Sequence, residues 1–177
     1  GDTKHANFMG GIYIWLGYAN VIGTDGAGTA AFAEGNLISG NNNDGIRLYL
    51  AEGNTIAGNR IGTDVTGTTA IQNSNMGIYL DRSHYNFIGT TGDGVGDALE
   101  GNLISANGSD GILVVGAGST DNIIAGNIIG LDASGTTALP NEGNGVMLGP
   151  NGDLNQLGTD GNGISDAQER NIISGNT

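Results

Sequence analysis

Carboxylates recur in one kind of glycine-rich stretch, in a pattern that suits a hard cation. Asp160, Asn162, Asp166 and Glu169 fall within DGNGISDAQE, and Asp93, Asp97 and Glu100 take the matching places in DGVGDALE. Near the N terminus only Asp25 and Glu34 remain at those places. Several carboxylates on one flexible loop suit Ca²⁺, which takes about six to eight oxygens. The spacing is not that of an EF-hand. A second reading stays open, because Glu34, Glu100 and Glu169 each stand two residues before an Asn. From there a Glu can cap a turn by accepting backbone N–H groups. Asp64 and Asp132 lie in a different loop type and read as turn residues that bond their own backbone.

The second group is aromatic. All five tyrosines and the single tryptophan lie between Tyr13 and Tyr85, and Arg47, Asp81, Arg82 and His84 share their strands and turns. Tyr13, Trp15, Arg47, Tyr49, Tyr79, Asp81, Arg82 and His84 form one candidate face. Aromatic planes stack on sugars, and the charged groups can bond hydroxyls; the same composition suits a protein contact. It equally suits a cross-strand ladder that only stiffens a sheet.

Catalysis finds less support. A glycosidase needs two carboxylates at a set separation, and Asp81 stands on this face without a second acid. A lyase needs a base and a cation, but Arg47 and Arg82 can simply pair with Asp81. Neither His5 nor His84 lies beside a Gly-x-Ser-x-Gly elbow. No residue is assigned a catalytic role. A flat threonine array for ice binding is also missing, since Thr24, Thr90 and Thr159 recur only on alternate repeats.

Composition narrows the partners. The formal net charge is −13 with only five Lys and Arg, which opposes nucleic acid. Cysteine is absent, so disulfides and thiolate chemistry are excluded. No apolar run approaches the roughly 20 residues of a membrane span. The 35 glycines are scattered between short Ile, Leu and Val runs, as in a chain of short strands and tight turns.

An internal repeat supplies the scaffold for both groups. Stretches beginning at Ile22, Ile88 and Leu157 resemble one another, giving a long period of 66 to 69 residues. Each period splits in two at Gly11, Gly45, Gly77, Gly111 and Gly145, spaced 34, 32, 34 and 34. Each Gly opens a strand such as GIYI or GIRL. A second strand starts at Asn20, Asn54, Asn86, Asn122 and Asn155. A third starts at Asn36, Asn59, Asn102, Asn127 and Asn171. The expectation is five rungs of three strands, stacked so that the Asn side chains bond along the axis. Period-two alternation turns Ile12/Ile14, Ile46/Leu48, Ile78/Leu80, Ile112/Val114 and Val146/Leu148 inward on strand one. Strand two contributes Ile22, Ile56, Ile88, Ile124 and Leu157, and strand three Ile38, Ile61, Ile104, Ile129 and Ile173. Odd rungs insert the acidic loop between strands two and three, and even rungs insert another loop after strand three. No significant helix is expected.

With Asn-x-Ile-x-Gly-Asn-x-Ile-Gly-Thr-Asp-x-x-Gly-Thr-x-Ala and Gly-Ile-x-Leu in place, the whole chain resembles the right-handed parallel β-helix repeats of secreted and surface proteins of bacteria. The resemblance implies an all-β, right-handed solenoid and a secreted or cell-surface location. It implies a structural or adhesive role, in a fibre built end to end or in a long surface protein. Self-stacking, other surface proteins and glycans are the implied partners, and a carbohydrate-binding or carbohydrate-active module is the alternative. Gly1–Gly10 match the tail of an even-rung loop, so 1–177 reads as one solenoid unit of a longer solenoid or polymer.

Overall fold

The computed structural model describes residues 6–27 and 34–177, and His5 lies outside them. The chain winds as a right-handed parallel β-helix with three sheets of five strands each. The first sheet holds β1 (Ile12–Trp15), β4 (Ile46–Tyr49), β7 (Ile78–Asp81), β10 (Ile112–Val115) and β13 (Val146–Leu148). The second holds β2 (Val21–Gly23), β5 (Thr55–Ala57), β8 (Phe87–Gly89), β11 (Ile123–Ala125) and β14 (Gln156–Leu157). The third holds β3 (Leu37–Ile38), β6 (Arg60–Ile61), β9 (Leu103–Ile104), β12 (Ile128–Ile129) and β15 (Ile172–Ile173). Every strand pairs in parallel with its equivalents one rung away, Ile12 on Ile46 on Ile78 on Ile112 on Val146.

The expected inward residues form the core. Ile46, Leu48, Ile56, Ile61, Ile78, Leu80, Ile88, Ile104, Ile112, Val114, Ile124 and Ile129 are fully buried. Such columns can hide only by stacking, since a single rung has one layer and no second face to pack on. In rung five the same columns, Leu148, Leu157 and Ile173, are 43%, 47% and 41% exposed. The rung-opening glycines are steric. A Cβ on Gly45 or Gly77 would lie 2.7 or 2.6 Å from the carbonyl oxygen of the next one.

Both expected Asn ladders run unbroken. Asn20, Asn54, Asn86 and Asn122 each donate from the side-chain amide to the Oδ1 of the next Asn at 2.8–2.9 Å. Asn36, Asn59, Asn102 and Asn127 do the same at 3.0 Å. The backbone N–H of each of these residues reaches that same Oδ1, so one oxygen serves two donors. A third ladder joins Asn7, Asn41, Asn73, Asn107, Asn141 and Asn176 at 2.8–2.9 Å. In all three, the donor belongs to the earlier rung and the acceptor to the later one.

The residues just after an inward aliphatic side chain decide the path. A tight corner forms where Gly or Ala at positive φ precedes Asn, at Gly40, Gly58, Ala106, Gly126 and Gly175, with φ of 58–77°. A loop leaves where Gly comes directly after the aliphatic residue, at Gly23, Gly62, Gly89, Gly130 and Gly158, with φ of 86–102°. The two choices alternate from rung to rung, as the repeat requires. A single helical turn, α1 (Asp97–Glu100), sits in the rung-three acidic loop. Its ends are pinned, because Asp97 accepts the Gly94 N–H at 2.9 Å and Glu100 accepts the Thr91 N–H at 2.8 Å. No helix among the described residues is long and apolar enough to cross a membrane.

Candidate functional site

The aromatic face lies on the outside of the first sheet and the corner after it. Parallel register aligns Tyr13, Arg47, Tyr79, Leu113 and Met147 in one outward column, and Trp15, Tyr49, Asp81 and Val115 in the next. Arg47 is therefore flanked by tyrosines, and its guanidinium carbon lies 4.6 Å from the Tyr79 ring centre. Its Nη2 approaches Asp81 at 3.7 Å. Arg82 comes from the corner, where it takes a left-handed φ of 52°. It reaches the Tyr49 hydroxyl at 3.3 Å, and its Nε lies 3.8 Å from Asp81. Asp81 thus faces two cations and is the least exposed of the three, at 18%. Burial, then the Asp81 charge, raises the Tyr79 hydroxyl above its ordinary pKa, and Arg47 opposes the shift.

Rung one carries the open part of the face. Trp15 is 64% exposed and Tyr18 78%, with Tyr13 and Leu16 also exposed beside them. His84 stands beyond this cluster, 3.6 Å from Glu52 and edge-on to Tyr85. The structure thus brings Tyr13, Arg47, Tyr79, Tyr49, Asp81 and Arg82 into one connected set, with Trp15 on its rim and His84 to one side. The arrangement presents aromatic planes, cations and hydroxyls on one outer face.

The acidic loops share one internal wiring. Thr90 donates to Asp97 at 3.1 Å, and Thr159 donates to Asp166 at 3.2 Å. Glu169 accepts the Asp160 N–H at 3.0 Å, as Glu100 accepts that of Thr91. Glu34 accepts the Thr24 hydroxyl at 2.8 Å. The turn-capping bond to a backbone N–H is therefore present at Glu100 and Glu169, while Glu34 accepts a side-chain hydroxyl instead. Asp93 bonds the Val95 N–H at 2.8 Å. The rung-five loop differs in bringing Asp160, Asp166 and Glu169 together, with one oxygen of each within 4.8 Å of the others. That trio can hold a cation, whereas Asp93, Asp97 and Glu100 are not gathered in this way. Asn162 donates to Asp160 at 2.8 Å, and its own oxygen accepts the Ile164 N–H at 2.6 Å, so it braces the loop. Asp64 and Asp132 are turn residues as expected. Each accepts a neighbouring hydroxyl and two backbone N–H groups, and both have pKa values lowered to about 2.

Two features escaped the sequence reading. From Asn7 to Asn141 the third Asn ladder repeats the 34, 32, 34, 34 spacing of the rung-opening glycines, each Asn four residues before its glycine, so its signal was available. A shallow cleft of 340 Å³ lies outside the third sheet, between the two loop families, against Arg60, Leu99, Leu103, Ile128 and Ala133. Apolar residues at the outward positions 103 and 128 were its only trace in the sequence. Comparison of the chain with family models, with curated proteins and with solved structures gives no match.

Proposed function

We propose that this chain is a structural and adhesive solenoid of the cell exterior, a rigid segment that extends by adding rungs and makes contacts through its aromatic face. The observation that carries this reading is the one-way sense of the Asn ladders. Every link donates from one rung to the next, so rung one presents the acceptor oxygens of Asn20 and Asn36. Rung five presents the amides of Asn155 and Asn171. Donor and acceptor edges of this kind are complementary, which supports growth of the rod rung by rung in one direction. The test is a chain lengthened after Thr177 by a copy of residues 43–110, an even and an odd rung in order. X-ray scattering should show the particle growing by about 9.6 Å, two strand spacings of about 4.8 Å. The denaturation midpoint should rise as well. A lengthened chain with a disordered addition and an unchanged midpoint contradicts the reading.

A second reading is supported by the exposed Trp15, Tyr13 and Tyr18 on rung one: the same face binds a neutral glycan. Binding on a glycan array that disappears in Trp15→Ala favours it, and failure to bind any polysaccharide removes it. Ca²⁺ at Asp160, Asp166 and Glu169 belongs to the same proposal as a brace for the rung-five loop. Added Ca²⁺ should raise the melting temperature of the parent protein but not of Asp166→Asn; an unchanged parent excludes it.

A further inference from the structure

The loop families alternate because each loop occupies the height of two rungs. Acidic loops touch across the rung between them. A Cβ on Gly96 in rung three would lie 2.0 Å from the Gly26 carbonyl oxygen in rung one. One on Gly92 would lie 2.1 Å from the Glu169 carboxylate in rung five. The even loops behave alike: Ala133 N–H donates to the Gly67 carbonyl at 2.9 Å, and Gln72 donates to Glu142 at 2.8 Å. The space filled is about 9.6 Å of axis, two strand spacings. Neighbouring rungs therefore cannot both carry the same loop.

Where one rung has a loop, the rung before it has a tight corner, and the two are bonded. The Gly58 N–H donates to the Glu100 carbonyl at 2.7 Å, and the Gly126 N–H to that of Glu169 at 2.8 Å. At the other corner the Gly40 N–H reaches Ile71 at 2.9 Å, and the Ala106 N–H reaches Leu139 at 3.1 Å. The corner always donates to the loop of the next rung. At the rung-five edge the corner is Gly175, whose N–H has no acceptor among the described residues. Beside it lie the half-exposed Leu148, Leu157 and Ile173.

We infer that the rung-five edge is a docking surface specific for one kind of rung, an inference that rests on the rod reading above. The occupant joins its second and third strands by a tight Ile-x-Gly-Asn corner and carries its loop after the third strand, as residues 45–76 do. It places an aliphatic column over Leu148, Leu157 and Ile173. It gives Asn acceptors to Asn155 and Asn171, and a loop carbonyl to the Gly175 N–H. An odd rung, as residues 77–110 form, fails twice. Its loop leaving at Gly89 would fall on the rung-five acidic loop, and its tight corner at Ala106 would bring Gly175 no carbonyl.

The test compares the parent with chains extended after Thr177 by copies of residues 43–76, 109–144 or 75–110. The first two supply an even rung and the third an odd one. Hydrogen exchange at the Gly175 amide is the readout, with the denaturation midpoint beside it. Both even extensions should slow that exchange at least tenfold and raise the midpoint, whereas the odd extension should leave Gly175 at the parent rate. Equal protection by the odd rung overturns the parity rule while leaving the rod reading intact. If the even extensions give no protection, the rod reading falls with it.

Discussion

Removing one amide from the middle of a ladder should cost far more than removing one from its end. Asn102 is 1% exposed, and its Oδ1 accepts both the backbone N–H and the side-chain amide of Asn59 at 3.0 Å. Its own amide donates to the Ile56 carbonyl at 2.7 Å and to Asn127 at 3.0 Å. Asn102→Ala orphans two donors beside Asn59, itself 1% exposed. At about 1–3 kcal/mol for each buried group left unsatisfied, the loss is about 2–6 kcal/mol. That is a large part of the ~5–15 kcal/mol that holds a domain folded. Asn36 provides the contrast. It donates to Asn59 at 3.0 Å, and among the described residues its Oδ1 receives nothing. Asn36→Ala therefore orphans no donor and should cost about 0.5–1.5 kcal/mol, the net worth of one hydrogen bond. Urea unfolding monitored by far-UV circular dichroism measures both. Equal costs for the two variants, or a loss under about 1 kcal/mol at Asn102, would refute the reasoning.

Asp44 is 2% exposed, and burial raises its pKa above the ordinary 3.8. The fold therefore favours its protonated form, and its contribution to stability is present at low pH and lost as pH rises through the raised value. Asp44→Asn should raise the denaturation midpoint at pH 7 and match the parent below about pH 4; a less stable variant at pH 7 contradicts this. Asp64 has the opposite sign, lowered to about 2 chiefly by the Thr66 hydroxyl. Its contribution is full above the unfolded value near 3.9 and is lost as pH falls toward about 2. Thr66→Val should move the Asp64 carboxyl, monitored by NMR, back toward its ordinary value, and an unmoved titration would remove the hydroxyl as the cause. Arg47 opposes the upward shift of Tyr79, so Arg47→Met should raise the phenol's titration point further, read by ultraviolet absorbance; a fall would mean that the guanidinium does not act on the ring.

The core was legible because a solenoid repeats one decision many times. Ile46, Ile78 and Ile112 occupy equivalent places in their rungs, and parallel stacking turns equivalence directly into contact. The first two Asn ladders were legible for the same reason, and Asn41, Asn73 and Asn107 could have been. The loops were not legible in this way. Gln72 meets Glu142 at 2.8 Å because their rungs are two apart, a contact set by loop thickness that no strand register encodes. The rung-three and rung-five acids looked interchangeable in sequence, and their Thr and Glu wiring is indeed shared. Only the fold brings Asp160 into reach of Asp166 and Glu169. On the aromatic face, sequence placed the columns, but the stacking of Arg47 on Tyr79 and the sharing of Asp81 by two arginines depend on side-chain paths that register alone does not fix.

The rod rests on the one-way ladder, and native-state hydrogen exchange of the ladder backbone amides tests that directionality without any added rung. The amides of Asn59, Asn86 and Asn102 each have an Asn oxygen at 3.0–3.1 Å in the next rung and should exchange only through global unfolding. Those of Asn155 and Asn171, at the donor edge, should exchange orders of magnitude faster. Uniform protection from rung one to rung five, or faster exchange at Asn59 than at Asn155, would contradict a ladder that runs one way.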